Sequence, residues 1–196
     1  MDEKFNIVAI GVSTGGVDAL IAFFNYRPIL SLAYVVISRF SEHDNRSLKE
    51  YLRKNRFSVT EVEDELEIKS GNIYLISDEK YFEIKDHKFQ VQTNLENCKG
   101  NIDRFFGAIA IDQKESAIGV ILSGNGNDGS KGALDIQNCG GLVLVQNPDQ
   151  AQCEEMPLSA IAVLEELHIY SAEGMLLAIE QNIKSPRALR YELREV

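Results

Sequence analysis

Short, continuously apolar runs alternate along the chain with segments whose apolar residues recur every three or four positions. The run from Phe5 to Ile10 is mostly apolar and β-branched, which predicts a buried strand. Val17, Leu20, Ile21 and Phe24 then stand at i, i+3, i+4 and i+7, the stripe of a helix. A second apolar run covers 33–38, a helix near 45–55 turns Leu48, Tyr51 and Leu52 inward, and a third strand covers 57–62. Runs this uniformly apolar suit parallel strands covered on both faces. In the middle, 72–77, 81–85 and 88–93 are short strand-like runs with polar turns at Asp78-Glu79-Lys80 and Asp86-His87, followed by a polar loop over 94–101. The alternation then resumes. Ile102, Phe105, Phe106 and Ile109 form a helical stripe, 116–122 a strand, 131–138 a helix and 142–146 a strand. Asn147-Pro148-Asp149 reads as a turn, Pro157 fits the first turn of a helix to about 164, and a last helix over 172–183 ends before Pro186. The expected fold is therefore α/β: a doubly wound, mostly parallel sheet with helices on both faces and an antiparallel hairpin around 72–93.

Composition narrows the function. With 196 residues, one domain over 1–184 is expected, with 185–196 a tail carrying Arg187, Arg190 and Arg194. A formal net charge of −10 argues against work on nucleic-acid phosphates. Met1-Asp2-Glu3-Lys4 has neither a basic nor an apolar signal region, and no apolar run reaches the ~20 residues of a membrane span. Cys98, Cys139 and Cys153 are odd in number and widely spaced. A cytoplasmic protein with reduced thiols and no membrane insertion is expected.

Candidate chemistry gathers where the first strand ends. Gly11-Val12-Ser13-Thr14-Gly15-Gly16 fits a nucleophile elbow, Gly-x-Ser-x-Gly, whose small neighbours allow a sharp turn that exposes the serine hydroxyl. It also fits a dinucleotide fingerprint with Ser13 in place of the second glycine, and, seen alone, a structural turn. No Walker A loop is present. Ligands of open α/β sheets sit outside the carboxyl ends of the strands, so the loops holding Ser13, Arg39 to His43, and Asn125 to Asp128 are expected to converge. A serine, a region able to carry a base, and a carboxylate suggest a Ser–His–Asp hydrolase. More plainly, Asp128 could satisfy backbone N–H groups of an Asn-Asp-Gly turn, and Arg39 could be a surface charge.

Together with Leu122-Ser123-Gly124-Asn125-Gly126-Asn127-Asp128-Gly129, Val145-Gln146-Asn147-Pro148 and Met156-Pro157, the first loop resembles the catalytic domain of the chemotaxis protein-glutamate methylesterase family, CheB. The resemblance runs from about Asn6 to Ile183. It implies hydrolysis of glutamate methyl esters on methylated chemoreceptor helices by a Ser–His–Asp triad, with release of methanol and with no cofactor or metal. Many members of the family also carry an amino-terminal receiver domain that blocks the site until phosphorylated, a control expected here to be absent or supplied from elsewhere. The family's nucleophile falls on Ser13 and its aspartate on Asp128, with Thr14, Asn125 and Met156 about the oxyanion site and pocket.

One position departs from the family. Where the family's base histidine stands, after the second strand, this chain writes Ser38-Arg39-Phe40. A guanidinium is never neutral near physiological pH and cannot accept the serine proton. His43, four residues on, is a substitute base only if its loop folds back; His87 and His168 read as surface or packing residues. Three functions follow: an impaired methylesterase, a catalytically silent binding module of the same fold, and, more weakly, a nucleotide-binding protein with Arg39 reading a 2′-phosphate.

Overall fold

A strand sandwiched between two helical layers sends alternate side chains into two different cores, so every position must be apolar. The computed structural model describes residues 5–26, 29–38, 40–76, 81–92 and 100–184. In chain order these form β1 (Asn6–Val12), α1 (Gly16–Asn25), β2 (Leu32–Ser38), α2 (Glu42–Lys54), β3 (Ser58–Glu61), β4 (Asn72–Ile76), β5 (Tyr81–Lys85) and β6 (Lys88–Gln92). Then come α3 (Asn101–Gln113), β7 (Ile118–Ile121), α4 (Ser130–Asn138), β8 (Leu142–Gln146), α5 (Glu155–Ile161), β9 (Ile169–Tyr170) and α6 (Met175–Lys184).

Seven strands make one sheet in the order β3-β4-β2-β1-β7-β8-β9, and every pair in it is parallel. Ile7, Ala9, Val35 and Ile37 face a core shared with Phe105 and Phe106 of α3, Ile136 of α4 and Ala160 of α5. Val8, Ile10, Tyr34 and Val36 face the opposite core, with Phe23 and Phe24 of α1, Leu52 of α2 and Ile179 of α6. Each such fully buried large side chain contributes about 1.5–3 kcal/mol of transfer free energy. The doubly wound α/β architecture is thus present.

Local expectations shift in four places. The run over 72–76 is no part of the hairpin: β4 lies inside the main sheet between β2 and β3, because Ile73 to Ile76 are buried and pair with Tyr34 to Ile37. Among the described strands β5 and β6 are the antiparallel pair, and their two-residue turn holds Asp86 and His87 at φ 52 and 59, the positive values a type I′ turn requires. Helix α2 starts at Glu42, because the Ser41 hydroxyl accepts from the Asp44 N–H (3.2 Å) and caps it. The last helical region is a 3-10 turn over Ala172–Gly174 followed by α6. Arg39, Cys98, the turn at 78–80, the loop over 94–99 and the tail over 185–196 lie outside the described residues.

The sheet order places the site. From β1 the chain moves to β2 on one side and later returns to β7 on the other. Strand order therefore reverses between β1 and β7, and the crevice at their carboxyl ends is the ligand position of open α/β sheets.

Candidate active site

Ser13 is the first residue after β1. Its N–H donates to the Ser123 carbonyl (3.0 Å), and its own carbonyl accepts from Gly16 (2.9 Å), closing the turn into α1. Gly15 caps α1 at φ 72, and a Cβ there would meet the Gln152 side chain at 2.7–2.9 Å. An L-residue would thus be strained and crowded at once. Ser13 is only 8% exposed, against the projecting hydroxyl of an open elbow. The cover is Gly124: a Cβ added there would lie 2.9 Å from Ser13 Cβ and collide with Met156 Sδ. Met156 is itself buried, and its N–H donates to the Gly124 carbonyl (2.9 Å). The second glycine of a dinucleotide fingerprint, which lets a pyrophosphate approach the backbone, is replaced here by Ser13, and Gly11, the first, is packed against the neighbouring helix. A Cβ at Gly11 would stand 2.5 Å from Ile102 Cγ2 of α3.

Two residues that the sequence reading passed over tie the loops together. Ser123 is fully buried. Its hydroxyl accepts from the Cys153 N–H (2.9 Å), with the carbonyls of Thr14 (3.2 Å) and Cys153 (3.3 Å) as acceptors for its proton. Its N–H donates to Gln146 Oε1 (2.8 Å), and Gln146 Nε2 donates to the Gln150 carbonyl (3.3 Å). The loops after β1, β7 and β8 are thereby held by one buried polar network, which a low local dielectric makes costly to break. The signal was available: both are polar residues where an apolar run ends.

Asp128 follows β7, on the strand adjacent to β1. Its carboxylate accepts from the Asp103 N–H (3.0 Å) and the Ile102 N–H (3.4 Å) at the start of α3. Asn125, Gly126 and Asn127 are exposed, and the Gly126 N–H is taken by Glu155 Oε2 (2.7 Å). Among the described residues, the N–H groups of Thr14 and Asn125 have no acceptor. His43 sits in the first turn of α2 with its side chain 88% exposed, 3.7 Å from Asp44. The loop that would have to fold back is helical. His87 lies against Phe5 at the hairpin turn, the two rings tilted by 43° with centroids 5.4 Å apart, and His168 lies 3.9 Å from Glu166 beside β9. Ser38, the residue before Arg39, pairs with Val12 of β1 and is buried.

Burial, and to a lesser degree the nearby Asp128 charge, push the Asp103 carboxyl above its ordinary value, against the backbone N–H groups of Gly132 and Gly129. A cleft of about 520 Å³ borders the serine turn through Gly15, Gln152 and Asp18, and extends to Asp149 and Glu173. Ser13 does not line it. Among the described residues, no cluster of His, Cys, Asp or Glu is built to hold a metal ion, and no helix is long and apolar enough to cross a membrane.

Fold and edge together define a class: three-layer α/β proteins with a serine on a strand–turn–helix at the switch point. The chain belongs to the CheB methylesterase family, whose model matches residues 8–179. It is 30% identical over 164 residues to a protein-glutamate methylesterase/protein-glutamine glutaminase of Yersinia pestis, covering 80% of this chain and 47% of that protein. A protein of the same description from Pectobacterium atrosepticum is 29% identical over 194 residues, 94% of this chain and 55% of the relative. The chain thus spans about half the length of the curated relatives it matches. The crystal structure of the Thermotoga maritima CheB methylesterase catalytic domain superposes with a TM-score of 0.76 at 25% identity, covering 89% of this chain and 97% of that one.

Proposed function

We propose that this chain hydrolyses the methyl esters of glutamyl side chains on methylated chemoreceptor helices, at a rate held low by the arginine in the base position. Ser13 is the nucleophile and Asp128 the carboxylate that would orient a base. The single observation behind this assignment is a serine at the β1–β7 switch point in a chain of the CheB methylesterase family. In the reaction, Ser13 Oγ bonds to the ester carbonyl carbon, the methoxide departs with the serine proton as methanol, and water then cleaves the acyl-serine to free the glutamate and restore the hydroxyl. The N–H groups of Thr14 and Asn125, which have no acceptor among the described residues, are the donors for the transient oxyanion, and Met156 shapes the pocket floor through Gly124. The same steps on a glutamine side chain release ammonia, the second activity in the relatives' names. No metal or cofactor enters, and His43 takes no part.

With an arginine at position 39, where the family's base histidine stands, the serine proton has no acceptor from that residue, because the guanidinium stays charged. Turnover then rests on the oxyanion donors and substrate binding, about 10³–10⁴ over water in serine hydrolases stripped of a triad member. A second function, a silent module that binds the receptor helix, with a receiver domain as a further partner, is favoured by Asp128, whose carboxylate accepts N–H groups of α3. Methanol release from a methylated receptor separates the two. Release above the level of Ser13→Ala supports hydrolysis; equal release leaves the binding module, which must then retain the receptor in a pull-down.

A further inference from the structure

Helix N-termini present N–H groups that the helix itself cannot satisfy, and a side chain of the capping residue normally accepts one of them. Neither α3 nor α4 is capped in this way. The capping residues are Gly100 (φ 84) and Gly129 (φ 96), which offer no side-chain acceptor. Each helix instead borrows a carboxylate from the other. Asp128, just before α4, accepts from Asp103 and Ile102 at the start of α3 (3.0 and 3.4 Å). Asp103, in the first turn of α3, accepts with one oxygen from both Gly129 and Gly132 at the start of α4 (2.9 Å each). The helices approach closely enough for this because Gly132 has no side chain: a Cβ there would stand 2.5 Å from the Asp103 carbonyl and from Phe106 Cβ. Each carboxylate also meets the positive end of the partner helix.

From this reciprocal clasp we infer that Asp103 is the positioning residue of the catalytic edge, fixing the α4 start and through it the orientation of Asp128. The inference rests on the role given to Asp128 above and extends it by one residue. Because the two carboxylates hold one another's backbones, loosening one end loosens the other. A cap acting on α4 alone would have no such effect.

Amide hydrogen exchange of the whole chain, read residue by residue, tests this without any turnover. Asp103→Ala is expected to raise exchange at Gly129 and Gly132 at least tenfold and, across the clasp, to raise it at Ile102 and at position 103 as well. Asp103→Asn, which keeps an oxygen acceptor in place, should return all four amides to within about threefold of the parent. Should Asp103→Ala not fold, Asp103→Ser, whose hydroxyl oxygen sits one bond short of the position that accepts from Gly129 and Gly132, carries the same expectation. Faster exchange at Gly129 and Gly132 with Ile102 unchanged would overturn the inference, as would no change at any of the four. The functional assignment fails by a different observation, equal methanol release from the parent and Ser13→Ala, so the two failures are distinguishable.

Discussion

Replacing Gly124 by alanine adds a single carbon under the candidate nucleophile, and its cost can be worked from the contacts. The glycine is not at positive φ, so the whole effect is steric. The new Cβ would lie 2.9 Å from Ser13 Cβ and 3.1 Å from Met156 Cγ, and would overlap Met156 Sδ. Carbon atoms prefer about 3.5–4.0 Å, so Ser13 or the 124 backbone must yield by more than half an ångström. Met156 has three rotatable bonds, but at 1% exposure it cannot swing out into solvent to make room. Overpacking of this kind costs about 1–3 kcal/mol, or about 2–4 °C in Tm for each kcal/mol in a chain of this size. Met156→Ala alone opens a cavity at about 2–5 kcal/mol. In the double variant the new methyl enters that cavity, so the two losses should fall short of additivity by about 0.5–3 kcal/mol. Urea denaturation of the two single variants and the double variant measures this. Additivity within ~0.5 kcal/mol would refute the packing of Gly124 between Ser13 and Met156.

Other consequences are simpler to state. Ser123→Ala strands the Cys153 N–H and should cost about 1–3 kcal/mol, read as a lower urea midpoint at unchanged slope; a loss under ~0.5 kcal/mol would deny the network its role. Asp103 carries the pH dependence of the clasp. Its carboxyl lies above its ordinary value of 3.8, so the folded chain holds this proton to higher pH than the unfolded chain. That contribution is full below the ordinary value and lost as pH rises through the folded one. Asp103→Asn cannot titrate, so its stability relative to the parent should rise with pH from about pH 4 upward, and a pH-independent difference would contradict the shift. Lys49 and Glu61 pair on the surface, with the Glu61 carboxyl lowered by the Lys49 hydrogen bond and charge. Glu61→Gln should change stability by no more than about 1 kcal/mol, the parent's advantage fading as pH falls through the carboxylate range.

The apolar runs were sufficient to read the sheet's centre, because β1, β2, β7 and β8 are buried on both faces and carry little else. Run length and β-branching separated strand from helix. What they could not show is which sheet a strand joins: Asn72–Ile76 and Tyr81–Lys85 look alike locally, and only pairing with β2 puts the first in the main layer. The α2 boundary was missed because Glu42, His43 and Asp44 are polar and resemble loop, although Ser41 with Asp44 three residues on was a legible cap signal. At the site, the motif spacing singled out Ser13 and Asp128. The clasp on Asp128 was invisible, since Asp103 and Asp128 are 25 residues apart and meet only when α3 and α4 pack. Ser123 and Gln146 stand out in the sequence only as polar residues where apolar runs end; the buried network they form is a property of three loops at once.

The claim at the centre of this account is that a competent serine edge lacks only its base. Methanol release from a methylated receptor by Arg39→His, with and without Ser13→Ala in the same chain, addresses it most directly. A restored base is worth about 10²–10⁴ in rate, so Arg39→His should exceed the parent by at least about a hundredfold and fall back to background when Ser13 is removed. Release by Arg39→His no faster than by the parent, or undiminished without Ser13, would contradict the account.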